Sequence, residues 1–199
     1  MKTRRLAWCA GALALLSAAV VWLRIGPLPA GLLDFTGAES TVIVDRTGEV
    51  LYEARADGGS RTALLRADAL PPSLVAATVA AEDHRFWSHH GVDPLATARA
   101  VARGIRRRHF SEGGSTITQQ VAKLLLARRA ASPPEPRGLA TKVREAVLAL
   151  RLEHRFDKRE ILALYLNLAP YGNQLVGAER ASRAYFGCGA ALLTPAQAA

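Results

Sequence analysis

The chain has 199 residues, a length that fits one domain with a real core. Half of the residues are hydrophobic, 22% are charged and only 6% are aromatic, the balance of an Ala/Leu-rich helical protein. The formal net charge of +9 calls for an anionic partner, whether nucleic acid, a membrane surface or a phosphate-bearing substrate, while two cysteines without ligand-spaced partners, Cys9 and Cys188, argue against a disulfide and against a zinc site.

At the N-terminus Lys2, Arg4 and Arg5 precede an uncharged run from Leu6 to Leu23, which Arg24 closes. As a helix rising ~1.5 Å per residue, this run spans roughly 27 Å, about the hydrocarbon thickness of a bilayer. A cleaved secretory signal is the competing reading, because Ser17, Ala18 and Ala19 offer small residues. The run continues through Val20, Val21 and Trp22, longer than a usual signal core, which favours a transmembrane anchor over residues 1–24. Three basic residues before the span and one after it place the N-terminus in the cytoplasm. On either reading the remainder is exported.

Residues 25–40 carry Gly26, Pro27, Pro29, Gly31 and Gly37, the composition of a linker. Residues 41–45 and 49–53 then flank Arg46, Thr47 and Gly48, which predicts a short β-hairpin with Gly48 in the turn. Beyond it the pattern is helical. Pro71, Pro72 and Ser73 open a helix over 74–81, and a second runs over 95–107 into the basic cluster Arg106, Arg107 and Arg108. A third covers 116–128. Pro133, Pro134 and Pro136 make 130–138 a loop or flap.

Residues 139–155 predict an amphipathic helix with Leu139, Val143, Val147 and Leu150 along one face. Asp157 followed by Glu160 is a capping-box variant that starts a helix over 158–168, stopped by Pro170 and Gly172. Another covers 175–185, closed by Gly187 and Gly189. Thr194 and Pro195 have the form of an N-cap and first helical position, yet the residues up to Ala199 are too few for a helix that holds itself together. The sequence therefore reads as C-terminally truncated.

Chemistry-bearing residues gather in four blocks. The first runs Glu82-Asp83-His84-Arg85-Phe86-Trp87-Ser88-His89-His90-Gly91. Glu82 follows an apolar stretch at a helix end, a setting that favours proton uptake and so suits a base; a surface glutamate at a helix terminus is the plain alternative. The second block is Gly113-Gly114-Ser115-Thr116-Ile117-Thr118-Gln119-Gln120 with Lys123. Two glycines permit close backbone approach, and a helix N-terminus offers N–H groups to phosphate, although the Walker spacing is absent. Thr116, Gln120 and Lys123 share one helix face, with Gln119 beside them: a solvated stripe or a binding wall. The third block is Arg137 with Lys142 and Glu145; the last two, three apart, form at least a surface ion pair of ~0.2–0.5 kcal/mol. The fourth runs from Ile161 through Tyr165 to Asn167, with Gly177 to Gly187 after it. His84, His89 and His90 with Asp83 and Asp93 do not have a zinc spacing and read as structural or substrate-lining.

These blocks, in this order, resemble glycosyltransferase family 51, the transglycosylase domain of class A penicillin-binding proteins and of monofunctional peptidoglycan transglycosylases. The likeness covers residues 41–199, and the hairpin and the phrase from Leu168 to Gly172 look closest to the one-C type. Thr141 stands where many members carry Arg.

The resemblance implies a mainly α, lysozyme-like bilobal domain with a short N-terminal hairpin and one transmembrane helix, its C-terminal part missing from residues 41–199. It implies the polymerisation of lipid II into glycan by inverting transfer, with release of undecaprenyl pyrophosphate. Glu82 becomes the base and Glu145 a second essential acid. Asp83, Phe86, His89, Gly114, Ser115, Thr116, Gln119, Gln120 and Lys123 become substrate-binding, with Arg137 and Lys142 on the pyrophosphate. No tightly bound cofactor is implied, at most a divalent cation such as Mg2+ or Mn2+ travelling with the pyrophosphate. Implied partners are lipid II, the growing strand, inner-membrane lipids and other cell-wall synthesis proteins. Export excludes nucleic acid, so the basic residues from Arg103 to Arg108 face lipid headgroups. A lytic transglycosylase or glycan hydrolase would also use two carboxylates, but has no use for cations around a leaving pyrophosphate. An inactive truncated remnant is the reading from another class.

Overall fold

The computed structural model describes residues 2–34, 41–47, 50–54, 64–107, 114–129 and 138–199. The order is α1 (Lys2–Ile25), β1 (Thr41–Val44), β2 (Val50–Ala54), α2 (Pro72–Glu82), α3 (Pro94–Arg107), α4 (Ile117–Arg129), α5 (Leu139–Arg155), α6 (Lys158–Leu168), α7 (Ala178–Phe186) and α8 (Pro195–Ala198). This mainly helical arrangement fits a lysozyme-like domain. The expected flap and Arg137, the hairpin glycine Gly48, and Gly113 lie outside the described residues.

The core is built where α4 meets α5 and α6. Ile117, Val121 and Leu125 of α4 are buried against Leu148 and Leu152 of α5 and Ile161, Leu162 and Leu166 of α6. Ala122 and Ala149 are fully buried, and such small side chains let helix backbones approach. Each large side chain removed from water contributes about 1.5–3 kcal/mol, so these carry most of the fold.

The apolar stripe expected on α5 is not its core face. Leu139 is 83% and Val143 57% exposed, while Glu145, Leu148, Ala149 and Leu152 are buried. At about 100° per residue the two stripes lie on opposite sides of the helix. A carboxylate inside the buried face breaks the simple pattern, and it does so because that face also forms a wall of the site.

Local signals place the ends of most elements. Asp157 accepts from Glu160 N at 2.8 Å while Glu160 Oε2 accepts from Asp157 N at 2.8 Å, the full capping box. Thr194 and Gln197 form another on α8. The hairpin pairs Ile43 with Tyr52, and Asp45 Oδ1 accepts from Thr47 N at 2.7 Å in its turn.

Two segments differ from expectation. Residues 25–40 are no free linker where described: Leu32 is buried, and Leu28 and Leu33 pack on the core. The helix expected over 175–185 begins only at Ala178, because Tyr171 N donates to Leu175 O at 2.9 Å and Leu175 N to Gly172 O at 2.8 Å, closing a turn first. Gly172 and Gly177, at φ 82° and 92°, take backbone angles that turn requires.

Asn167 clamps the segment leading into α2. Its Oδ1 accepts from Leu65 N at 2.7 Å and its Nδ2 donates to Leu65 O at 2.9 Å. α1 runs 24 residues and packs on α5. Among the described residues no helix is long and apolar enough to cross a membrane.

Candidate active site

Glu82 is the last residue of α2, and Asp83 ends the helix at φ −159°. The Asp83 carboxylate turns inward. Its Oδ2 accepts from Ile117 N at 3.1 Å and meets His89 Nε2 at 2.8 Å, so one oxygen ties the end of α2 to the start of α4. Asp83 and His89 are 8% and 5% exposed and Phe86 is fully buried, with Trp87 edge-on to it at 5.0 Å. Of these three residues of the first block, expected to touch substrate, Phe86 and His89 lie beneath the cleft and line neither of its hollows, while Asp83 lines the larger one. Thr116 is anchored from the other side: Oγ1 donates to Gly91 O at 2.6 Å. Gly91, at φ 88°, has no room for a side chain, since a Cβ there would stand 2.8 Å from Ala149 O.

The second block forms a capped helix start. Thr116 Oγ1 accepts from Gln119 N at 3.1 Å, and Gln119 Oε1 accepts from Thr116 N at 2.9 Å. From this start, Gln120 reaches across to α2, where its Nε2 donates to Glu82 Oε2 at 2.7 Å. Glu82, at the helix end expected for it, is exposed, and the buried glutamate of the site is Glu145, at 6%. Exposure follows from its place at the helix tip, with the inward position taken by Asp83.

Lys142 joins the two walls. Its Nζ donates to Ser115 Oγ at 3.0 Å and stands 3.4 Å from Glu145 Oε2. Because Glu145 is buried, this is more than the surface pair its spacing alone describes. A hollow of about 220 Å³ opens between these groups, lined by Glu82, Ser115, Gln119, Gln120, Lys123, Lys142 and Glu145. Seven residues expected in the site thus surround one space.

A second hollow of about 680 Å³ lies on the other side of Glu82, with Gly114, Ser115 and Thr116 on one wall and Ala96, Arg99, Ala102 and Arg103 of α3 on the other. Glu82 and Ser115 line both hollows. Gly114 is needed small, for a Cβ would come within 2.7 Å of Ala100 Cβ. Arg85 also lines this space and its Nε stands 3.3 Å from Asp93 Oδ2. Asp93 Oδ1 accepts from Leu95 N at 2.9 Å and Ala96 N at 3.1 Å, which caps α3. Burial would raise the Asp93 carboxyl, but the Ala96 and Leu95 N–H groups and the Arg85 charge outweigh it and hold it below the usual range.

Arg99 was not picked out from sequence and Arg103 was read only as lipid-facing. Their signal was present in the i, i+4 spacing with Arg85 upstream. Tyr165 and Tyr171 were also quoted without a role. Burial, and after it the charge of Glu82, pushes Tyr171 up to about 12 and Tyr165 well above the tyrosine range, so both remain neutral phenols near Glu82. Among the described residues no group of three or more His, Cys, Asp or Glu side chains is placed to hold a metal ion.

The family described as Transglycosylase matches residues 47–199. A penicillin-binding protein 1A from Aquifex aeolicus is 38% identical over 161 residues, 81% of this chain and 21% of that protein. A penicillin-binding protein 1C from Escherichia coli is 40% identical over 159 residues, 79% of this chain and 20% of that protein. A biosynthetic peptidoglycan transglycosylase from Nitrosospira multiformis is 34% identical over 166 residues, 83% of this chain and 70% of that protein. The chain spans about a fifth of the length of these penicillin-binding proteins and 70% of the transglycosylase. With its motif residues around one cleft and its likeness running through to the last residue, the chain belongs to the transglycosylase family.

Proposed function

We propose that the chain is a peptidoglycan glycosyltransferase that extends glycan strands from lipid II. One observation carries this reading: a single exposed carboxylate, Glu82, stands between two hollows, one with two lysines and the other with three arginines on its walls. Transfer between two phosphate-bearing sugar substrates needs a base shared by both and cations on each side.

In this reading the donor strand's pyrophosphate lies in the smaller hollow, against Lys123 and Lys142. Acceptor lipid II occupies the larger one, near Arg85, Arg99 and Arg103. Glu82 takes the proton of the acceptor 4-hydroxyl as its oxygen bonds to C1 of the donor. The C1–oxygen bond to pyrophosphate breaks with inversion, and undecaprenyl pyrophosphate leaves with the electron pair. Glu145 orients Lys142 toward the departing charge, and Arg137 adds a cation. Gln120 aims the Glu82 carboxylate. Glu82 and Glu145 are the carboxylates of the smaller hollow, and Gln120 and Lys142 engage them. Any divalent cation would arrive with the pyrophosphate.

In this reading the uncharged run of the sequence from Leu6 to Leu23 is a single transmembrane anchor with the catalytic part outside the inner membrane, where a lipid-linked donor resides; its support is the sequence alone, since no helix among the described residues is long and apolar enough to cross a membrane. Membrane lipids and other cell-wall synthesis proteins are the partners this placement entails. Cationic walls favour synthesis over glycan cleavage, because a hydrolase meets no pyrophosphate.

The test is extension of lipid II by the purified chain in detergent. Polymer should form with wild type, and Glu82→Gln should reduce it by about 10²–10⁴-fold, the usual contribution of a general base. Wild-type rates from Glu82→Gln would overturn the base assignment. No polymer from wild type would favour the inactive-remnant reading.

A further inference from the structure

The joint between α1 and the rest of the molecule is built rather than loose. Arg151 Nη1 donates to Pro27 O at 2.8 Å, and Arg155 Nη2 donates to Gly26 O at 3.3 Å. Both carbonyls lie just past the end of α1, where cationic side chains bind best. The Arg151 guanidinium also stacks 4.8 Å from the Trp22 ring centroid, one turn back on α1. Gly26 is shaped for this contact: a Cβ there would run into the Arg151 guanidinium, meeting Cζ at 2.6 Å, and would stand 2.7 Å from Trp22 O. Leu32, buried in the core, pins the chain a few residues later.

We propose that Arg151 and Arg155 clamp the end of α1 so that α5 acts as a ruler, holding the cleft at one height above the membrane. The inference rests on the reading of α1 as an anchor and of the donor as lipid-linked. Glu145 lies six residues before Arg151 on the same helix, about 9 Å along its axis at ~1.5 Å per residue. Clamp and site therefore share one rigid body. The reason to need it is dimensional. A free Gly/Pro linker of about eight residues would wander by roughly 15 Å. The headgroup layer that carries a lipid-linked pyrophosphate is only about 5–7 Å deep in each leaflet. An unclamped cleft would spend most of its time at the wrong depth. Arg151 and Arg155 are positioning residues in this account, and neither touches the reacting groups.

The experiment uses the full chain in nanodiscs, with Cys9→Ser and Cys188→Ser, and nitroxides placed through Leu15→Cys and His154→Cys. Electron–electron distance measurements should give one narrow distribution. The Arg151→Ala/Arg155→Ala variant should broaden it, and Gly26→Ala, which leaves both arginines present, should broaden it as well. In parallel, polymerisation of long-chain lipid II in vesicles should fall about tenfold in these variants. Turnover of a short-chain, water-soluble lipid II analogue should stay within about twofold, because a dissolved substrate needs no set depth. An unchanged distance distribution in both variants overturns the clamp. So does an equal loss on both substrates, which would make the arginines supports of the fold alone. If wild type extends neither substrate, the proposed function fails by itself, and the distance widths still decide the clamp.

Discussion

Gln120 Nε2 donates to Glu82 Oε2 at 2.7 Å, across the gap between α4 and α2. This bond occupies one carboxylate oxygen and leaves the other to meet a hydroxyl. It also fixes a side chain that, at an exposed helix tip, would otherwise sample several rotamers. Gln120→Ala should therefore lower kcat by about 10–100-fold with KM little changed, because aim is lost while the cationic walls remain. Steady-state kinetics on lipid II reads this directly. A rise in KM at constant kcat would mean that Gln120 binds substrate instead.

Lys142 serves two partners, Ser115 and Glu145, and its removal has two separable effects. Lys142→Met leaves Glu145 buried without its cation. Lys142 is itself half-exposed, so the cost in stability should be about 1 kcal/mol, well under that of breaking a fully buried pair. On the proposed function the loss of polymerisation should be far larger, about 10²-fold or more, since a leaving pyrophosphate would lose a charge partner. Ser115→Ala breaks only one contact and should be much milder. Urea denaturation and kinetics on the same preparations separate the two effects.

Asp93 gives the molecule an acid-sensitive joint. Its folded carboxyl is held below the ordinary value of 3.8, so its ionised form stabilises the native state. That contribution is complete above the unfolded carboxyl value and is lost as the pH falls below it, through the folded one. Asp93→Asn keeps a capping oxygen but loses the charge facing Arg85. The variant should melt below wild type at neutral pH, and the gap should close as the pH drops below about 4. Melting curves at pH 7 and pH 3 check this; a gap that widens in acid would contradict it.

The legible parts of this molecule are those decided by neighbours in sequence. The Asp157–Glu160 box, the Thr194 cap and the hairpin around Asp45 each need only local chemistry, and each is present. The face of α5 was misread because counting apolar residues cannot show that Glu145 turns inward while Leu139 and Val143 turn outward. Burial is a tertiary fact. The same holds for Phe86 and His89, which stand in a motif full of chemistry yet sit under the cleft. That Glu82 and Glu145 face one hollow was reachable through resemblance to a family, since they stand 63 residues apart in sequence (145 − 82). Arg103 was legible only as part of a basic cluster and Arg99 was not singled out; α3 lying across from Ser115 and Thr116 makes both part of the cleft.

Asn167 offers a sharper test of how a motif residue can serve the fold alone. Its amide matches one peptide unit, with Oδ1 on Leu65 N and Nδ2 on Leu65 O. A carboxylate has the same shape but no donor. Asn167→Asp would set one oxygen against Leu65 O and, in this half-buried place, leave both acceptors without a hydrogen between them. Asn167→Ala removes both bonds and lets the backbone groups seek water. The aspartate should therefore be the worse replacement, costing about 2–3 kcal/mol against about 1–2 for alanine. Urea denaturation gives the ranking, and hydrogen exchange at the Leu65 amide should quicken in both variants. If alanine proves worse, packing of the Asn167 side chain matters more than its paired hydrogen bonds. The clamp would then be a matter of shape and not of polarity.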